Sequence, residues 1–187
     1  MRITGGQVRG RLLAGPKGLN IRPTSDQVRG AIFSILGQDL SGMSVLDLFA
    51  GTGSLGLEAL SRGALCSLFV DNSPQSIALI EKNLAFCGYQ DSAVILRRDL
   101  RKGIQLANAP DHKLFDLVFL DPPYGKNFIP VLLKELLFSD LLSPKSRVVA
   151  ESSKTERPPA SLGNLKNIDT RLYGDTKITL YEYEVSQ

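Results

Sequence analysis

The chain has 187 residues, of which 43% are hydrophobic and 22% charged, a balance that fits one globular domain with a full core plus a small appendage. No apolar stretch approaches the roughly 20 residues of a membrane helix, and the basic N-terminus lacks the apolar run of a signal peptide, so a cytoplasmic protein is expected. One histidine, His112, in a loop beside Asp111 and Lys113, and two cysteines without near partners, Cys66 and Cys87, leave little material for a disulfide framework, a metal centre or a Ser-His or Cys-His nucleophile.

Residues 2–13 read as a glycine-rich hairpin turning at Gly5-Gly6 or Gly10. A loop with Gly15, Pro16, Gly18 and Pro23 follows. Thr24 and Gln27 have the spacing of a capping box, and Val28, Ala31, Ile32, Ile35 and Leu36 form one apolar helical face that Gly37 ends. Arg22 and Arg29 fall off that face and are expected to point at a ligand. Residues 1–30 carry Arg2, Arg9, Arg11, Lys17, Arg22 and Arg29 against Asp26, a net +5, while the whole chain is +3. A positive arm on a near-neutral body points to phosphate contacts. The expected division is a basic extension, 1–40, and a body, 41–187.

From about residue 43 the pattern alternates between strand and helix. Strands are expected over 45–49, 68–71, 94–97, 117–120 and 147–150. Helices are expected over 55–62, 74–86 and 130–138, with a weaker one over 100–106. Nearly continuous apolar strands imply a parallel sheet covered on both faces. Two further strands, 167–173 and 177–185, flank Gly174-Asp175 and read as a closing antiparallel hairpin.

Two strand ends carry the chemistry. Asp47-Leu48-Phe49-Ala50-Gly51-Thr52-Gly53 ends a strand in a glycine turn that lets a ligand approach the backbone, at the start of a helix whose amides favour a negative group. Asp71, at the end of the next strand, is placed to accept hydrogen bonds from ribose hydroxyls. Residues 51–56 also fit the dinucleotide pattern G-x-G-x-x-G, but Asp47 and Phe49-Ala50 suit a cofactor bearing a carboxylate and an ammonium, S-adenosylmethionine, rather than a pyrophosphate. Asp99 is either an acceptor for the adenine amino group or a helix cap. The candidate cofactor residues are thus Asp47, Phe49, Gly51, Thr52, Gly53, Asp71 and Asn72, with Asp99 and Leu100. Asp121-Pro122-Pro123-Tyr124 ends a later strand. A carboxylate and a neighbouring carbonyl can hold both hydrogens of an exocyclic base amine, the prolines preorganise them, and the tyrosine can stack on the base. These four are the candidate catalytic residues. The base must be unpaired or flipped to reach them.

On these residues the chain resembles the RsmD family of bacterial 16S ribosomal RNA guanine-N(2) methyltransferases. The resemblance runs through Arg2-Ile3, Gly5-Gly6, Arg9-Gly10-Arg11, Arg22-Pro23-Thr24, Asp26 and Val28-Arg29. It continues through 47–53, 55–63 and 121–124, and ends with Tyr173-Gly174-Asp175-Thr176 and Tyr181. Gly30 departs from it, since family members often have Glu there. The resemblance implies a Rossmann-like class I methyltransferase fold, S-adenosylmethionine as donor, and a guanine 2-amino group of 16S ribosomal RNA in the assembling small subunit as acceptor. Arg2, Arg9, Arg11, Arg22 and Arg29 are the expected RNA contacts, on a monomer with no metal and no membrane. Read from the residues alone, three alternatives stay open: a DNA adenine or cytosine amino methyltransferase, a silent RNA-binding assembly factor, and a nicotinamide-dependent oxidoreductase.

Overall fold

The structure is a computed structural model that describes residues 1–15, 26–104, 106 and 114–184. Its centre is one eight-stranded sheet built from β1 (Ser44–Leu48), β2 (Cys66–Asp71), β3 (Ala93–Arg97), β4 (Phe115–Leu120), β5 (Leu142–Ser153), β6 (Ser161–Leu162), β7 (Leu165–Tyr173) and β8 (Thr176–Tyr183). The order across the sheet is β3-β2-β1-β4-β5-β8-β7-β6. The first five strands are parallel to their neighbours, and β8, β7 and β6 follow in antiparallel pairing. The expected parallel sheet with a closing antiparallel hairpin is therefore present, with β6 as an added short edge.

Side-chain alternation along the strands splits the core in two. Val45, Phe69, Leu117, Phe119, Val149, Ile178 and Leu180 face one layer, which holds α1 (Asp26–Leu36), α2 (Ser54–Ser61) and α3 (Pro74–Cys87). Leu46, Leu48, Val70, Val118, Leu120, Val148 and Tyr181 face the other, covered by α4 (Phe128–Leu137) and Leu100 and Leu106. Both faces being covered, every residue of β1 is buried. Ile3 and Leu13 of the N-terminal segment and Leu40 beyond α1 join the first layer.

Local chemistry sets the helix ends. Ser73 caps α3 by accepting the Ser76 amide, Pro74 supplies a helical φ at the first position, and left-handed Gly88 ends the helix. Gly53, also left-handed at φ 76°, opens α2 and has no side chain to cap it.

Several elements differ from expectation for physical reasons. The helix expected over 100–106 is a single 3-10 turn, Leu100–Lys102, because Gly103 leaves it at φ 101°. Strand β5 is far longer than 147–150, since it pairs with β4 from Leu142 and with β8 out to Ser153. Residues 2–13, by contrast, do turn back on themselves: the Ile3 amide bonds to the Arg11 carbonyl at 3.0 Å, the Gly10 amide to the Ile3 carbonyl at 2.8 Å and the Leu13 amide to the Met1 carbonyl at 3.1 Å, around an antiparallel bridge between Arg2 and Leu12. Their tip also bonds to the end of α2, with the Gln7 amide on the Ser61 carbonyl at 2.7 Å and the Val8 amide on the Ser61 hydroxyl at 3.1 Å. Thr24, Arg22 and His112 lie outside the described residues.

The buried face of α1 also differs. Arg29 and Phe33 are buried with Val28, Ile32 and Leu36, whereas Ala31 and Ile35 are only partly so. Arg29 has 0% exposure. It donates to Glu58 of α2 at 3.2 Å, to Asp26 at 2.8 Å and to the Arg2 carbonyl. The expectation that Arg29 faces RNA is thereby corrected: its charge is spent inside the protein, because Glu58, also 0% exposed, stands opposite.

Candidate functional site

Strand β1 lies between β2 and β4, so the carboxyl ends of the three open side by side. In a doubly wound sheet the crevice beyond these ends, where chain order reverses, is where ligands bind. The Asp47–Gly53 turn leaves β1, Asp71 closes β2 and Asp121 follows β4. The ends are tied together by the Ala50 amide on the Val70 carbonyl at 3.1 Å and the Asp121 amide on the Leu48 carbonyl at 3.5 Å.

Asp47 is 1% exposed, and its carboxylate accepts the Gly56 amide at 2.9 Å. Burial pushes its pKa up to about 7, with the nearby Asp71 charge adding to the rise. Its place is therefore beneath the turn, where it ties the strand to α2. Gly56 permits that approach: a Cβ there would sit 2.4 Å from the Phe69 ring and 2.6 Å from the Ser67 hydroxyl. Asp71 is half-buried and bridges two loops, accepting the Gly51 amide at 2.9 Å and the Ser73 amide at 2.9 Å. Each carboxylate oxygen has a second lone pair, so acceptor capacity remains for a ligand hydroxyl.

Between them the turn is conformationally specialised. Gly51 and Gly53 have φ 57° and 76°, and Phe49, a non-glycine, has φ 61°. Such a residue costs about 1–3 kcal/mol and persists where the surroundings enforce it, typically at ligand sites. The Phe49 ring is held against Phe128 at 5.8 Å between centroids. Thr52 is buried, with its hydroxyl 3.7 Å from the Met1 sulfur and its carbonyl accepting from Asn83 at 2.9 Å. Asn83 also exchanges two hydrogen bonds with Ala14, at 2.7 and 3.1 Å, so the N-terminal segment and the glycine turn share one anchor. Asn72 is exposed at the same rim, its carbonyl accepting from Arg97.

Asp99 caps the turn after β3: it accepts the Arg101 amide at 3.1 Å and binds that guanidinium at 2.7 and 2.8 Å. The Arg101 hydrogen bonds hold its pKa down to about 2. The Leu100 side chain is buried in the second core layer.

At the other rim Pro122 is buried, Pro123 exposed and Tyr124 half-buried. The Tyr124 hydroxyl donates to Glu151 at 2.7 Å and stands 3.4 Å from the Thr176 hydroxyl. Burial pushes the Tyr124 pKa up, and the Glu151 and Asp121 charges push it further, so the phenol stays protonated. Glu156 accepts the Gly125 amide at 3.1 Å and the Ser153 amide at 2.9 Å, bracing the turn after the motif against the end of β5.

Of the expected RNA contacts, Arg2, Arg9 and Arg11 are exposed. The Arg11 guanidinium lies over the Phe86 ring at 5.6 Å and donates to the Phe86 carbonyl. Sequence reading missed Glu58, Asn83, Glu151 and Glu156. Only Glu58 left a trace: an acid four residues before Arg62 in a helix that is otherwise nearly all apolar or small.

This strand order and site define a class I methyltransferase fold. The structure of yhhF from Escherichia coli is 30% identical, with TM-score 0.80, covering 100% of this chain and 99% of that one. A more distant RNA methyltransferase from Salinibacter ruber, solved with S-adenosyl-L-homocysteine, shares the fold at TM-score 0.64 and 17% identity, over 89% of this chain and 96% of its own. Residues 1–182 match the family described as conserved hypothetical protein 95, and the chain belongs to this family, that of RsmD. The ribosomal RNA small subunit methyltransferase D of Haemophilus influenzae is 32% identical over 97% of this chain and 93% of its own.

Proposed function

We propose that the protein transfers a methyl group from S-adenosylmethionine to the exocyclic 2-amino group of a guanine in 16S ribosomal RNA of the assembling small subunit. The observation that carries this reading is the adjacency of two strand ends, one bearing a glycine turn braced by Asp47 and Asp71, the other Asp121–Tyr124. The family and the name of its Haemophilus relative supply the ribosomal RNA.

The residues fit the cofactor. Gly51 and Gly53 hold the turn open, the first amides of α2 suit a carboxylate, and Asp71 and Asn72 are suited to reading ribose hydroxyls. Phe49 and Thr52 shape the same turn. Asp99, paired with Arg101, follows β3 beside this rim, with Leu100 packed into the core next to it. When bound, S-adenosylmethionine supplies a methyl group on a sulfonium, already activated for transfer.

The chain's task is then placement. A base amine is a poor nucleophile while its lone pair is delocalised into the ring. The Asp121 carboxylate and a nearby backbone carbonyl accept its two hydrogens and turn the lone pair out of the ring plane. Pro122 and Pro123 stiffen the backbone that carries these acceptors. Tyr124, kept protonated, offers its ring for stacking and is not a base at neutral pH.

The extension 1–40 serves RNA contact through Arg2, Arg9, Arg11 and Arg22. The Gln7 and Val8 amides bond to the far end of α2 from the glycine turn, and eight residues of helix span about 12 Å. The segment thus runs from the glycine turn, where Met1 and Ala14 meet Thr52 and Asn83, to the far end of α2, a span that suits a structured RNA better than a lone nucleotide.

Methyl-labelled S-adenosylmethionine, offered with small subunits lacking the modification, naked 16S ribosomal RNA or duplex DNA, tests the acceptor. The reading expects label in small subunits first. Label in DNA alone would replace it.

A further inference from the structure

The proposed base-holding motif ends in a tyrosine whose hydroxyl is already committed. Glu151 lies on β5, one residue beyond the Leu120–Ala150 pairing, so it stands beside Asp121 at the same strand end. It is 7% exposed, and its carboxylate accepts the Tyr124 hydroxyl at 2.7 Å. Thr176, the first residue of β8, is 3% exposed and stands 3.4 Å from the same hydroxyl. Pairing of Ser153 with Thr176 brings that turn to the rim. The Tyr173–Thr176 block, more than 45 residues from Tyr124 in sequence, thus meets the motif in space.

A tyrosine at a strand end has two soft torsions, and a freely rotating ring would stack on a base only part of the time. Holding the oxygen fixes where the ring axis points, and because a phenolic O–H lies in the plane of its ring, an acceptor at a fixed place also favours one ring plane. A hydrogen bond to a carboxylate is short and strong for this purpose, and a buried one does not exchange with water. The hydroxyl is turned toward β5 and β8, which leaves the ring, not the oxygen, for the ligand. Glu156 completes the brace by holding the Gly125 amide at 3.1 Å.

We infer that Glu151 and Thr176 are positioning residues for the target base: they lock the Tyr124 ring through its hydroxyl in the orientation that stacks on the guanine. This rests on the proposed methyl transfer and adds to it two residues that touch neither base nor cofactor.

The test compares the unaltered chain with Tyr124→Phe, Glu151→Ala, Glu151→Gln, Thr176→Val and the double variant Tyr124→Phe/Glu151→Ala. Each is assayed for kcat and KM with unmodified small subunits, for S-adenosylmethionine affinity by calorimetry, and for thermal stability. Tyr124→Phe and Glu151→Ala should each lower kcat/KM about tenfold, the value of one charge-assisted hydrogen bond, with cofactor affinity unchanged. The double variant should be no worse than the poorer single one, since both changes remove the same bond. Glu151→Gln, which still accepts, should recover most of the activity, and Thr176→Val should show a smaller loss. Glu151→Ala with full activity, or losses that multiply in the double variant, would overturn the lock while leaving methyl transfer intact. An unaltered chain that methylates no small subunit would overturn the proposed function and the lock with it.

Discussion

Glu58 joins the N-terminal segment to the body, and its removal should be felt throughout the molecule. It is fully buried between Arg29, at 3.2 Å, and Arg62, at 2.7 Å, whose side chains are 0% and 3% exposed. It also accepts the Thr4 amide and hydroxyl, each at 2.8 Å. Glu58→Ala removes the acid that Arg62 pairs with, leaves Arg29 with Asp26, and orphans the Thr4 donors. Removing one partner of a buried ion pair costs about 3–5 kcal/mol. In a chain of this size about 1 kcal/mol moves Tm by roughly 2–4 °C, so the expected fall is about 6–20 °C. Thermal unfolding followed by circular dichroism measures it. The triple variant Arg29→Met/Glu58→Leu/Arg62→Met, which swaps the whole triad for apolar side chains, should lie well above Glu58→Ala despite carrying more changes. A fall below about 2 °C for Glu58→Ala would refute the buried triad, as would a triple variant less stable than the single one.

Three other outcomes follow from the geometry. Asp47 has its folded pKa raised from 3.8 to about 7, so its contribution is fully present below pH 4 and is lost as pH rises through 7. Asp47→Asn keeps an oxygen for the Gly56 amide and removes that loss, so urea unfolding should show the variant gaining on the unaltered chain by up to about 4 kcal/mol between pH 4 and pH 8; parallel profiles would refute it. Gly6→Ala places a Cβ 1.8 Å from the Ser61 carbonyl oxygen at φ 75°, whereas a Cβ on Gly10 at φ 87° meets nothing within 4 Å. Calorimetric unfolding should therefore show a clearly larger loss for Gly6→Ala than the about 1–2 kcal/mol of a left-handed φ alone expected for Gly10→Ala. Replacing Arg9 and Arg11 with Ala should weaken RNA binding and reduce the slope of its logarithm against log salt by about 1–2, leaving cofactor affinity intact; an unchanged slope would remove both from the interface.

The parts of the fold written in local periodicity were legible in the sequence. The apolar runs of β1, β2 and β4 and the helices between them give a parallel sheet, and Gly174-Asp175 marks the closing turn. Both motifs were legible too, because short-range glycine and proline chemistry fixes a strand end whatever packs around it. What failed was long-range. Nothing local says that Arg29 meets Glu58, 29 residues on, so its charge was read as exposed. Likewise nothing near Asp121–Tyr124 names Glu151 or Thr176, which reach it only through strand pairing across the sheet. The weak helix over 100–106 failed because the left-handed Gly103 stops it after one turn. Asp99 was ambiguous in sequence because a carboxylate at a strand–helix junction serves a cap or a ligand equally well, and the structure adds its cap and its pairing with Arg101.

The most direct test of the central claim is nucleoside analysis. Small subunits from cells lacking this protein are incubated with the purified chain and methyl-labelled S-adenosylmethionine, and the 16S ribosomal RNA is digested and separated. The account predicts label in 2-methylguanosine, abolished by Asp121→Ala in a variant that still binds S-adenosylmethionine. Label in any other nucleoside, or full transfer by Asp121→Ala, would contradict it.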